Sequence, residues 1–123
     1  MHFDKPGREN TEQTLKLAFE RAKALGLKEV VVASSKGDTA YQALEIFHEL
    51  KVTVVTYHCG FREPFKNVMT EDVHADLQKK AFNLISGSHA LSGIERSVAQ
   101  KHSGIYPVLL IADTFRLLGQ GTK

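Results

Sequence analysis

Apolar positions along this chain switch between two periods, and the switching predicts helices alternating with strands. Leu15, Ala18, Phe19, Ala22 and Leu25 fall on one face of a helix that Asn10 or Thr11 can cap and Gly26 can close. A strand follows at about Glu29–Ala33, with Val30, Val31 and Val32 in succession. Three β-branched residues in a row suit a parallel strand covered on both faces. Helical spacing returns at Ala40, Ala43, Leu44, Phe47 and Leu50, which places a helix from Thr39 to about Leu50. Val52–Thr56 reads as a second buried strand. The connection Tyr57–Thr70 is long and contains Gly60 and Pro64, a length that is often functional inside a compact domain. Thr70 can cap a helix to about Ala81 with Val73 and Leu77 inward, and Asn83–Ile85 is a short third strand. A helix around Gly93–Lys101, and a last one opened by Pro107 and ended at Gly119, complete the series.

This order implies right-handed crossovers and a parallel sheet between helix layers, a three-layer α/β/α domain. The 123 residues make one domain over 1–123, with 42% hydrophobic and 24% charged residues, ordinary for a globular chain. The net charge of +2 comes from 16 basic and 14 acidic residues mixed along the chain, without a basic block, which disfavours nucleic acid as a partner. No apolar run approaches the roughly 20 residues of a membrane span. The segment from Met1 to Pro6 has no apolar h-region, so no secretory signal is expected. Cys59 is the sole cysteine, and a reduced, cytoplasmic setting is the expectation.

Ligands of an open parallel sheet collect beyond the carboxyl ends of its strands. Three segments should meet there: Ser34–Thr39, His58–Pro64 and Ser86–Ser92. The first, Ser34, Ser35, Lys36, Gly37, Asp38 and Thr39, offers hydroxyls, a cation and the amides of an incoming helix, a combination that favours a phosphate. The plainer reading is a tight turn with Thr39 as an ordinary N-cap. His58, Cys59, Gly60, Phe61 and Arg62 follow the second strand, and Ser86, Ser88, His89, Ser92 and Gly93 the third.

His58, Cys59 and His89 are zinc-ligand types, but adjacent ligands lack the spacing of a strong metal motif, and no metal is expected. Cys59 as a nucleophile would need an activating base, and its neighbour His58 points to the opposite face in extended chain. Ser92 and Glu95 have the spacing of a capping box that would fix the third segment beside a ligand; a solvated Glu95–Arg96 pair is the alternative. His48 and His102 read as surface residues, and His2 and His74 carry no signal. The last helix, with Val108, Leu109, Leu110, Ile111, Ala112, Phe115, Leu117 and Leu118, is too apolar to bury one face only. It predicts further cover from the same fold or from a second subunit, and an exposed edge at the first strand.

Glu9-Asn10-Thr11, VVVASSKGDTA, VTVVTYHCGFREP, SHALSGIERS and GIYPVLLIADTFRLLGQG together resemble the pyruvate kinase C-terminal domain, and more closely its stand-alone archaeal and bacterial relatives. The resemblance implies a spatial strand order of 3-2-1 for the part present, with further strands beside the first. Relatives continue past the GQG segment with another helix and a second glycine-rich strand–turn–helix, whereas this sequence ends at Lys123; a short member or a fragment is expected. In pyruvate kinases the domain is regulatory and binds a sugar phosphate, while the chemistry lies in a barrel, so pyruvate kinase activity is not expected of this chain alone. Stand-alone relatives are similar to nucleotide or flavin binders. FMN is therefore the first candidate cofactor, its phosphate on Ser34–Thr39 and its ring against Tyr57, Phe61 or Phe65.

Three functions stay open. The first is a binding domain for FMN or another nucleotide or sugar phosphate, using Ser34–Thr39 with His58, Gly60, Ser88 and His89. The second is an enzyme acting on a phosphorylated metabolite with His58 or His89 as general acid/base. The third is a non-catalytic subunit that docks a partner through its last helix, most simply in a homo-oligomer.

Overall fold

A computed structural model describes residues 2–60 and 63–118 of the chain. Three strands, β1 (Glu29–Ala33), β2 (Lys51–Val55) and β3 (Asn83–Ile85), form one parallel sheet with β2 in the centre. Glu29 pairs with Lys51 at one end of β1 and Ala33 with Val55 at the other, while Thr53–Val55 align with Asn83–Ile85. The helices are α1 (Thr11–Ala24), α2 (Asp38–Ile46), α3 (Glu71–Lys80), α4 (Glu95–His102) and α5 (Pro107–Leu117). A short 3-10 turn at Arg8–Asn10 precedes α1, and a π-type turn at Ala90–Ile94, kinked at Leu91, leads into α4. The α/β class, the parallel sheet and the 3-2-1 order are as the sequence implies.

Local chemistry explains most boundaries. Gly26 takes φ 66°, its amide donates to Lys23 O (3.0 Å) and the Leu27 amide donates to Ala22 O (2.9 Å), a Schellman closure of α1. Thr70 sits at the N-cap position of α3, though its side chain makes no capping bond. At α2 the expected cap shifts by two residues: Gly37, not Thr39, holds the N-cap position, because its φ of 107° lets the chain turn sharply into the helix. That helix ends at Ile46, short of Leu50. Ile94 rather than Ser92 occupies the N-cap position of α4, since the π-type turn already winds the chain from Ala90. The side chains of the Ser92–Glu95 box lie outside the described residues, as does Gly119.

The core forms where α1, α2 and α3 cover one face of the sheet. Val32, Val52 and Val54 point into it and meet Leu15, Ala40, Ala43, Phe47, Met69 and Leu77. Ala40 and Ala43 are fully buried, and their small size lets α2 lie close to the strands. The Phe19 and Phe47 rings, 6.0 Å apart, join α1 to the end of α2. The opposite sheet face is open among the described residues: Val31 is 72% exposed and Ile85 51%. Double-sided cover of β1 is thus corrected to single-sided cover. The cause is topological, since right-handed crossovers between strands laid down in spatial sequence place every connecting helix on the same side. α4 and α5 pack on each other and on the π-type turn instead. Ala112 of α5 is buried there, whereas Leu110, Ile111, Leu117 and Leu118 face outward. No helix among the described residues is long and apolar enough to cross a membrane.

Candidate functional site

Backbone hydrogen bonds carry the sheet past its last residues and stitch the three segments side by side. The Ser34 amide donates to Val55 O (2.9 Å), Thr56 to Ile85 O (3.0 Å) and Cys59 to Gly87 O (3.0 Å). The carboxyl edge therefore brings together the starts of all three candidate loops.

The turn after β1 is organised by Ser34. Its buried hydroxyl oxygen accepts from the Gly37 amide (3.2 Å) and the Ala40 amide (3.3 Å). Ser34 is thus the acceptor that the α2 N-terminus otherwise lacks. Two of the amides expected to hold an anion are consumed in this way. The Asp38 and Thr39 amides find no protein acceptor among the described residues. Ser35 and Lys36 are exposed. Asp38, in the first turn of α2, is ion-paired with Arg8. Gly37 serves packing: a Cβ there would lie 2.6 Å from Val73 Cγ1 on α3.

The second and third segments enclose a cavity of about 350 Å³, lined by His58, Cys59, Gly60 and Ser88 on one side and by Gly93, Ile94, Ser97 and Val98 on the other. His58 is only 6% exposed, stacks on Tyr57 (ring centroids 5.1 Å) and meets His89 edge-on (6.1 Å). The His89 Nε2 atom is buried with no hydrogen-bond partner among the described residues. A buried ring nitrogen without a partner is the exception in folded proteins. Gly60, at φ 82°, donates its amide to Lys66 O (2.9 Å) and closes the loop on itself. Phe65 stands 96% exposed and does not line this cavity, and Phe61 and Arg62 lie outside the described residues. Among the described residues no group of three or more His, Cys, Asp or Glu side chains is placed to hold a metal ion.

The histidine cavity and the Ser34–Thr39 turn share an edge but not a lining. Thr39 instead borders a separate groove of about 210 Å³, with Gly7, Asn10, Thr11, Thr14 and Leu15. His48 and His102 are on the surface. Sequence reasoning passed over Asn67, and it left His74 without a role. Both belong to a polar cluster with Thr56 and Ser86 just past the carboxyl ends of β2 and β3. An asparagine in a long loop carries no signal of where its amide will reach.

A family model described as "Pyruvate kinase, alpha/beta domain" matches residues 12–121 of the chain, from the first turn of α1 past the end of α5.

Proposed function

The chain belongs to the pyruvate kinase alpha/beta domain family, and on that premise we propose that it binds a phosphorylated small molecule at the carboxyl edge of its sheet. FMN, another nucleotide and a sugar phosphate are the candidate ligands, with the phosphate on the Ser34–Thr39 turn. The observation that carries this reading is the α2 N-terminus, where the Asp38 and Thr39 amides lack a protein acceptor beside the exposed Lys36. Free amides and the positive end of the helix dipole both attract an anion. His58, Gly60 and Ser88 line a cavity of about 350 Å³, within the range of small-molecule sites, and His89 meets the His58 ring edge-on. Titration calorimetry with FMN, fructose bisphosphate and inorganic phosphate tests the reading, together with the visible absorbance of the purified protein. Lys36→Ala should weaken binding by about tenfold, one charge-assisted hydrogen bond. Failure of the wild type to bind any of the three at millimolar concentration would overturn it.

A second reading, an enzyme acting on a phosphorylated metabolite, draws on the pairing of His89 with His58, which lines the cavity. An imidazole in that position is suited to move a proton near neutral pH. Turnover lost in His89→Ala with ligand binding retained would favour it. The outward-facing Leu110, Ile111 and Leu117 of α5 and Leu118 just after it, together with Val31 on the open sheet face, support a homo-oligomer, most simply a two-fold dimer.

A further inference from the structure

Four polar side chains, Thr56, Asn67, His74 and Ser86, meet just past the carboxyl ends of β2 and β3, and their protons can be counted. Thr56 Oγ1 is 2.9 Å from Tyr57 O, which can only accept, so the single threonine proton is committed there. Toward Ser86 Oγ, at 3.1 Å, Thr56 is therefore the acceptor and the Ser86 hydroxyl the donor. Ser86 Oγ then has only lone pairs left for its other two neighbours, His74 Nε2 at 3.1 Å and Asn67 Nδ2 at 3.1 Å. Asn67 Nδ2 also reaches Thr56 Oγ1 at 3.1 Å, and Asn67 Oδ1 accepts the Met69 amide at 3.2 Å. The count closes. Asn67 gives one amide proton to each hydroxyl, His74 gives its Nε2 proton to Ser86, and both hydroxyl oxygens end with two acceptances.

We propose that Asn67 is a positioning residue of the cavity: its forked amide clamps the carboxyl ends of β2 and β3 and thereby sets how the His58 and His89 rings face each other. Thr56 and Ser86 directly follow Val55 and Ile85, the last pair of the two strands, and stand two residues before His58 and three before His89. Beyond them the segments separate to form the cavity walls, with the Cys59–Gly87 backbone bond as a further tie. A clamp at the fork fixes the angle between the branches. Asn67 also belongs to the loop that returns from Gly60 through Lys66, so the same amide anchors that loop to the sheet edge. The consequence for ligand affinity rests on the binding function proposed above; the consequence for ring geometry does not.

The test compares Asn67→Ala with Asn83→Ala in the full chain. Asn83 Nδ2 donates to Thr53 Oγ1 at 3.5 Å and so links the same two strands, but away from the fork. Two quantities are read: nuclear Overhauser effects between the His58 and His89 ring protons, and the affinity for FMN by calorimetry. Asn67→Ala should abolish the ring–ring effects and weaken FMN by about threefold or more, as for other residues coupled in one network. Asn83→Ala should leave both unchanged. Retained ring–ring effects in Asn67→Ala would overturn the proposal, as would unchanged affinity in a protein that binds FMN. Wild type that binds no FMN, inorganic phosphate or fructose bisphosphate refutes the binding function alone, and the ring comparison still decides the role of Asn67. Should Asn67→Ala fail to fold, Ser86→Ala removes the shared hub and is read in the same way.

Discussion

Gly37 and Val73 approach so closely that the contact admits only a glycine: a Cβ at residue 37 would stand 2.6 Å from Val73 Cγ1. The glycine of the candidate phosphate turn is thus the point where α2 docks against α3. Its φ of 107° adds a backbone demand of its own. Gly37→Ala should destabilise by about 1–3 kcal/mol for the backbone and by a further ~1–3 kcal/mol for overpacking. Gly26→Ala, at φ 66° with nothing within 4 Å of an added Cβ, should cost only about 1–2 kcal/mol. Urea denaturation of the two variants checks the ranking. A substitution at Gly37 accordingly reports on folding before it reports on phosphate.

Ser34→Ala should cost about 1–3 kcal/mol, because two buried-side amides lose their acceptor while little volume changes. Amide hydrogen exchange offers the sharper reading. Protection should fall at Gly37 and Ala40 and stay as it was in α3. Undiminished protection at both amides would contradict the capping role.

The pH dependence of stability should carry the mark of a three-residue bridge between α2 and α3. The Tyr41 hydroxyl and the Lys80 ammonium each donate to the Asp76 carboxylate at 2.7 Å. The hydrogen bond from Lys80, and then that from Tyr41, hold the Asp76 carboxyl below its ordinary range. Asp76 in turn raises the Tyr41 and Lys80 values, chiefly through the same hydrogen bonds. The folded state binds fewer protons at Asp76 than the unfolded chain, so its contribution is present above the unfolded pKa of about 3.9 and is lost as pH falls through the lower folded value. At Tyr41 and Lys80 the folded state holds its protons longer. Their contribution is present below about pH 10 and is lost as pH rises through the raised values. Urea titrations of wild type and Asp76→Asn should converge at both extremes and differ most near neutrality. A difference that stays constant with pH would contradict the bridge.

His74 should be found with its proton on Nε2, since Ser86 Oγ can only accept from it once Thr56 has taken the serine proton. Nitrogen-15 chemical shifts of the ring report the tautomer directly. The Nδ1–H form would mean that Ser86 gives its proton to His74 and not to Thr56.

Association should depend on the open sheet face. Val31→Lys places a charge where the described residues leave 72% exposure, and in an isolated subunit it should alter stability by no more than about 0.5 kcal/mol. If copies of the chain cover that face, light scattering should show dimers for the wild type and monomers for Val31→Lys, with the circular dichroism of a folded protein retained. A dimer that survives the substitution would direct attention to Leu117 and Leu118 on and after α5.

The elements legible in the sequence are those whose cause is local. Leu15, Phe19 and Ala22 mark the buried stripe of α1 by their spacing, and Gly26 marks its end because the closing turn needs a positive φ. Val52 and Val54 identify β2 in the same way. What stays hidden depends on partners distant along the chain. Val31 looks as buried as Val32, yet its exposure follows from the side on which the crossovers pass. The hydroxyl of Ser34 reads as a phosphate ligand, whereas its oxygen is engaged by the turn it begins. Asn67 is invisible for the same reason, since its importance lies in reaching two strand ends 11 and 19 residues away.

A sheet built outward strand by strand also has a direction of construction. β1, α2 and β2 associate through segments close in sequence, and low sequence separation speeds assembly. β3, an edge strand of three residues against the five of each neighbour, should join last. The π-type turn and α4 then add the outer wall of the histidine cavity without packing on any strand. Local opening should therefore start at that wall and run inward, so the cavity can breathe while the valines of β1 and β2 stay shut. A ligand of the kind proposed above would then enter at the youngest seam of the domain and leave the oldest one undisturbed.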